Sequence, residues 1–297
     1  MPEANATVIA TYSRRMRLRL PDDSEVDARI KGKKLKPVCG DRVAAEELAD
    51  EADRLITAIA PRDNELTRPN LRGEPEVLAA NVDLLVVVAA ALPAPDWFVV
   101  DRYLAAAEIM RADAMVVYNK ADIEAPDTAT LSVYEKLGYP SLVTSAETGQ
   151  GIDELRHRLA DRIAIVVGQS GVGKSSIINE LMGSELQKTA EISTKHREGR
   201  HTTVNSVMIP LDAGGNVIDS PGVRDYAPAL ESSAAAAAGF REILAASEHC
   251  RFANCRHMQE PGCAVKAGVE DGSIDARRYE SYRRIVITTE KLAEGRY

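Results

Sequence analysis

Residues 168–175 read Gly-Gln-Ser-Gly-Val-Gly-Lys-Ser, a complete G-x-x-x-x-G-K-[ST] loop, and no other stretch limits the fold so tightly. The apolar run Ile163 to Val167 precedes it and a helix-forming run, Ser176 to Met182, follows, so the loop joins a strand to a helix. Its glycines let backbone N–H groups turn inward around a polyphosphate, reinforced by the helix dipole. The candidate binding residues are Gly168, Gln169, Ser170, Gly171, Val172, Gly173, Lys174, Ser175 and Ser176. Lys174 is expected to reach the β- and γ-phosphates, a catalytic as well as a binding role, and the Ser175 hydroxyl to ligate Mg²⁺.

Asn119-Lys120-Ala121-Asp122 follows a second apolar run ending at Tyr118 and fits N-K-x-D, a guanine reader. The Asp122 carboxylate accepts from the ring N1–H and the 2-amino group, donors that adenine lacks on that edge. Asn119 fixes the loop, and the Lys120 stem covers the ring. Ser145-Ala146-Glu147-Thr148-Gly149, after another strand, sets the Ala146 backbone against the guanine carbonyl. Asp219-Ser220-Pro221-Gly222 is expected to hold Mg²⁺ through Asp219 and to sense the γ-phosphate with the Gly222 N–H. Gly199-Arg200-His201-Thr202-Thr203 offers a further Mg²⁺ hydroxyl, and both Thr202 and Thr203 remain candidates.

The order of these motifs is unusual. Ordinary GTPases place the phosphate loop first and the guanine reader last, whereas here Asn119 lies upstream of Gly168. The same sheet requires a circularly permuted chain, with whatever follows the Asp219 loop tied to the element that moves on γ-phosphate loss. Apolar runs at Asp83 to Val88, Ala114 to Tyr118, Ser141 to Val143, Ile163 to Val167, Val204 to Ile209 and Asn216 to Ile218 alternate with helix-like stretches. Continuous apolar strands of this kind read as a largely parallel sheet covered on both faces.

Outside this unit the texture differs. Residues 1–66 carry short alternating runs such as Glu25 to Ile30 between turn signals, as in a small OB-like β-barrel. The chain is 297 residues long with net charge −8, yet residues 1–42 hold ten Lys/Arg against six Asp/Glu. Net acidity argues against a general polyanion binder and leaves room for local basic surfaces. The longest apolar run, Leu84 to Leu92, is too short to span a bilayer, and no secretory leader is visible, so the expectation is a cytoplasmic protein with no membrane partner.

Three of the four cysteines crowd into Cys250, Cys255 and Cys263, and with His257 they give C-x₄-C-x-H-x₅-C. Three thiolates and an imidazole close a tetrahedral structural Zn²⁺ site, with His249 as a competing ligand. Cys39 reads as a core thiol. Ser232 to Ala238 reads as a helical linker. The terminal helix, about Ile274 to Leu292, carries Arg277, Arg278, Arg283 and Arg284 with Tyr279 and Tyr282, which fits either an RNA-contacting surface or a solvated face.

Together these motifs, with Pro61 to Pro69, Ala80 to Asp83, Asp219 to Val223 and Gly40 to Val43, resemble the ribosome small-subunit-dependent GTPase A family. The resemblance implies a multidomain α/β protein: an OB-like barrel (1–66), a circularly permuted P-loop GTPase domain (67–228) and a C-terminal α-helical zinc-binding domain (229–297). It implies a monomer that hydrolyses GTP to GDP and phosphate with turnover stimulated by the small ribosomal subunit and its rRNA, late in that subunit's maturation. It also implies Mg²⁺ with GTP and one structural Zn²⁺ on Cys250, Cys255, His257 and Cys263. Val223 stands where ordinary GTPases place a water-orienting Gln, and His201 is the candidate replacement. The competing readings are a nucleotide-regulated protein-binding switch without an RNA partner and a P-loop ATPase or kinase.

Overall fold

A computed structural model of the chain describes residues 3–12, 15–32, 34–48, 51–70, 74–182, 204–220 and 233–294. The N-terminal strands are β1 (Ala6–Tyr12), β2 (Met16–Arg19), β3 (Glu25–Ile30), β4 (Arg42–Glu47) and β5 (Arg54–Ile59). They run in the order β1-β2-β3-β5-β4, and a β1–β4 pairing closes the ring. Val8, Leu18, Ala28, Val43 and Ile56 fill the interior and are fully buried. This is the expected five-stranded barrel.

The second unit carries β8 (Leu84–Ala90), β9 (Asp113–Asn119), β10 (Ser141–Val143), β11 (Ile163–Gly168), β12 (Val204–Pro210) and β13 (Asn216–Asp219). Their order is β10-β9-β8-β11-β13-β12, with every pairing parallel except β12–β13. Alternation along β8 feeds two cores: Leu85, Val87 and Ala89 point to one face, and Leu84, Val86, Val88 and Ala90 to the other. Helices α1 (Trp97–Met110) and α2 (Thr128–Lys136) cover the first face. Helix α3 (Ile152–Leu159) and helix α4 (174–182) cover the second, through Leu155, Leu159, Ile177 and Leu181. Asp96 starts α1 by accepting from the Phe98 and Val99 N–H groups.

Strand β1 belongs to both units. Val8 points into the barrel core and Ile9 into the core of the large sheet. The far half of β1 pairs antiparallel with β12, Thr11 opposite Ser206 and Tyr12 opposite Val204, so eleven strands form one continuous sheet. A hairpin of β6 (Glu65–Pro69) and β7 (Pro75–Ala80) reinforces the junction, with Leu66 and Ala79 in the large-sheet core. Buried Asp41 accepts from Arg62 Nε (2.7 Å) and Nη2 (2.9 Å), which pins the connecting segment to the barrel.

The C-terminal module has a 3₁₀ stretch (Ser233–Gly239), α5 (Arg241–Ser247), α6 (Ala264–Glu270) and α7 (Ala276–Glu294) around Phe240, Ile243, Val265, Tyr282 and Val286. The expected linker is therefore core: Ala236 is buried, and a Cβ at Gly239 would lie 2.8 Å from Ala105 Cβ on α1. The outward basic and aromatic reading of α7 is corrected at Arg277, Arg278 and Tyr282, whereas the side chains of Arg283 and Arg284 stay solvent-accessible. Arg278 is fully buried, donates to Asp101 Oδ1 (3.0 Å) and Glu242 Oε1 (2.8 Å), and locks the module to α1. Arg277 also reaches Asp101, Tyr282 is buried, and Arg283 and Arg284 pair with Glu280. A buried guanidinium persists only with such partners, and here the acids a hundred or more residues upstream or on α5 supply them. Among the described residues, no helix is long and apolar enough to cross a membrane.

Candidate active site and metal centre

The strand order sets the C-terminal ends of β8, β9, β10, β11 and β13 side by side, and the predicted nucleotide residues follow directly from them. Lys174 and Ser175 open α4. Ser170, Gly171, Ser175 and Ser176 face solvent, whereas the Val172 side chain is buried and anchors the loop to the sheet below. Lys174 Nζ donates to the carbonyls of Gly168 (2.8 Å) and Gln169 (2.7 Å) and so lies over the loop. Gln169 Oε1 accepts from the Asp96 N–H (3.2 Å), linking the loop to the start of α1.

The guanine reader is fastened to the phosphate loop by its own side chains. Asn119, nearly fully buried, donates through Nδ2 to the Val172 carbonyl (2.9 Å). Its Oδ1 accepts from the Ala146 N–H (3.1 Å) and from Thr144 Oγ1 (3.2 Å). Lys120 has a left-handed backbone (φ 63°) and donates from Nζ to the carbonyls of Leu92 (2.6 Å) and Gly171 (2.7 Å). The Ala121 N–H donates to the Thr144 carbonyl (3.1 Å). Asp122 Oδ1 accepts from the buried Ser145 hydroxyl, which in turn accepts from the Thr148 N–H. That bond orients the carboxylate and leaves acceptor capacity for a ligand. Gly173 sits at φ 93°, and a Cβ there would lie 2.4 Å from Asn119 Nδ2, so only glycine permits this approach.

Asp219 ends β13, which pairs with the phosphate-loop strand β11. Next to it Ser220 is buried and accepts from Ser206 Oγ on β12 (2.9 Å). Gly222, His201, Thr202 and Thr203 lie outside the described residues. Sequence reasoning missed the carbonyls of Leu92, Gly171 and Val172, the Thr144 hydroxyl and Ser206. No pattern marks a backbone carbonyl, whereas Thr144 adjoins the Ser145 motif and was within reach.

In the C-terminal module, ligand atoms of Cys250, Cys255, His257 and Cys263 all lie within 4.8 Å of one another. His257 Nδ1 is 3.5 Å from both Cys250 Sγ and Cys263 Sγ, and those sulfurs are 4.0 Å apart. A tetrahedron with Zn–S near 2.3 Å and Zn–N near 2.05 Å has edges of about 3.5 Å (S···N) and about 3.8 Å (S···S), so the donor set fits zinc. Burial lowers the His257 pKa, which keeps the imidazole neutral, and pushes the Cys255 thiol up to about 12. Tyr279 donates to the His257 carbonyl (2.5 Å) and Tyr282 to the Arg256 carbonyl (2.9 Å), so the α7 tyrosines brace the ligand turn. His249 is not in this cluster. Cys39 is a buried thiol against the Ile9 carbonyl, in keeping with a core role.

The family model for the RsgA GTPase matches residues 59–228. A "Small ribosomal subunit biogenesis GTPase RsgA" from Azotobacter vinelandii is 37% identical over 295 residues, covering 96% of this chain and 85% of the relative. One of the same name from Ectopseudomonas mendocina is 41% identical over 254 residues, covering 84% and 74%. Among solved structures, YjeQ from Thermotoga maritima is 27% identical with a TM-score of 0.71, covering 96% of this chain and 98% of that one. YloQ, described as a circularly permuted GTPase, shares the fold at 24% identity with a TM-score of 0.73, covering 98% and 96%.

Proposed function

The chain belongs to the RsgA GTPase family, and from that premise we propose that it binds the small ribosomal subunit, acts in late maturation of that subunit, and hydrolyses GTP to GDP and phosphate as it does so. The supporting observation is the joining of guanine reader to phosphate loop through Asn119 and Lys120, which makes base identity and phosphate binding one event. Asp122 reads the base edge, the Ala146 N–H meets the guanine carbonyl, and Lys174 with the loop N–H groups holds the phosphates. Ser175 and Asp219, with Thr202 or Thr203, would hold Mg²⁺, which neutralises phosphate charge when bound with the nucleotide. The Gly222 N–H reads the γ-phosphate. Zinc on Cys250, Cys255, His257 and Cys263 would contribute folding energy to the small C-terminal module.

The reading takes residues 1–66, 67–228 and 229–297 as barrel, GTPase and zinc domains of a cytoplasmic monomer. Because Val223 cannot orient water, His201 does so when the protein is bound to the subunit. His201→Ala is expected to lose most of the subunit-stimulated turnover at saturating GTP while GTP affinity is kept; undiminished stimulation removes His201 from the mechanism. Asp122→Asn tests the base reader. It is expected to shift preference from guanine to xanthine nucleotides by about 100-fold or more, as loss of a paired polar contact does. Equal competition by ATP in the wild type would contradict the guanine reading.

A further inference from the structure

The chain has three phenylalanines. Phe240 is core, and Phe98 is half-buried with the Arg102 and Arg284 guanidiniums 5.0 and 5.3 Å from its ring centroid. Phe252 is 41% exposed and lies in the loop that runs from Cys250 to Cys263. Single exposed apolar residues are ordinary on protein surfaces. This one differs in how it is held and in what stands beside it.

The Arg251 N–H donates to the Gly262 carbonyl (3.1 Å), and the Cys255 N–H donates to the Phe252 carbonyl (3.1 Å). Gly262 is left-handed (φ 69°), and a Cβ there would lie 3.1 Å from Arg251 Cβ, so the two limbs of the loop close tightly beside Phe252. The four clustered ligands belong to the same loop. Arg251 places its guanidinium 5.4 Å from the Phe252 ring centroid. Among the described residues Arg251 has no ion pair, whereas Arg256 is paired with Glu290. The loop's one carboxylate, Glu260, turns inward and accepts from the N–H groups of Arg256 (3.1 Å), Met258 (2.9 Å) and Gln259 (3.0 Å). The Arg251–Phe252 pair thus presents an aromatic face and a cation without an ion pair among the described residues, on a hydrogen-bonded backbone.

We propose that the Arg251–Phe252 pair is an RNA contact, in which Phe252 stacks on an unpaired base of small-subunit rRNA and Arg251 reaches an adjoining phosphate. The proposal rests on the small-subunit reading above. An aromatic face beside a lone arginine, with the loop's own acid held by backbone N–H groups, suits a base and its phosphate; every base offers a π-face to such a platform.

The test is co-sedimentation of the full-length, zinc-loaded protein with isolated small subunits in a non-hydrolysable GTP analogue, combined with chemical reactivity mapping of rRNA bases. Phe252→Ala is expected to weaken binding about 5- to 150-fold, the range for one stacked base. Phe252→Leu is expected to fail like alanine, and Phe252→Trp to bind like wild type. One unpaired base should lose its protection in the alanine and leucine variants, while zinc content and GTP turnover without subunits stay unchanged. Arg251→Gln should reduce the slope of log affinity against log salt by about one, and it decides the matter if Phe252→Ala loses metal. Wild-type binding with Phe252→Ala or Phe252→Leu unimpaired, or with no base changing reactivity, overturns the RNA contact alone, the leucine result pointing to a protein contact. A wild-type chain that does not sediment with subunits overturns both this proposal and the function on which it rests.

Discussion

Asn119 donates to Val172 and accepts from Thr144 and Ala146, so a single buried amide holds the ends of β9, β10 and β11 in register. Gly173 makes room for it. Gly173→Ala combines a positive φ that alanine resists with a clash against Asn119 Nδ2, each worth about 1–3 kcal/mol. We expect GTP affinity to fall about 100-fold, with the thermal unfolding midpoint lowered by only a few degrees; titration with a fluorescent guanine nucleotide measures the first. Retained affinity would show that the loop does not depend on this approach. The side chains proposed to touch nucleotide are legible in the sequence because the chemistry demands particular types at Asp122, Lys174 and Ser175. Their supports are less so: Leu92, Gly171 and Val172 act through carbonyls, which any residue supplies.

Helix α7 shows how an element can be located correctly and turned the wrong way. Its basic and aromatic residues suggest an outward surface, but Arg278 and Tyr282 face in, with partners on α1, α5 and the ligand turn. Asp101 lies 177 positions from Arg278, a separation that no local pattern reveals. The Asp101 carboxylate also accepts from Tyr134 (2.9 Å) and Arg277 (3.2 Å). Removing the cation leaves buried Glu242 without its ion pair and Asp101 with Arg277 as its remaining cation, so Arg278→Met is expected to cost about 3–5 kcal/mol in denaturant unfolding. A loss below about 1 kcal/mol would mean that the joint is not what holds the module to α1. Strand β1 shows the same limit. The segment 1–66 reads as barrel strands, but that Ile9 of β1 serves the neighbouring core, and that β12 pairs beside it, depends on tertiary packing alone.

At the scale of the molecule, the permutation explains why a barrel and a C-terminal module flank one nucleotide site. The barrel is hydrogen-bonded through β1 to β12, which antiparallel pairing joins to the Asp219 strand, and the C-terminal module is locked to α1, whose capping residue Asp96 contacts the phosphate loop. Both appendages therefore reach the site through backbone pairing and buried ion pairs. The net charge of −8 remains compatible with a ribosomal partner because the basic excess is local to residues 1–42, and for the same reason the chain should show little affinity for arbitrary polyanions. The most direct test of the account is GTP turnover at saturating nucleotide, measured alone, with isolated small subunits and with isolated large subunits. The account predicts that small subunits raise the rate by at least about tenfold, a barrier reduction of about 1.4 kcal/mol or more, while large subunits leave it unchanged. An equal rate in all three conditions would contradict it.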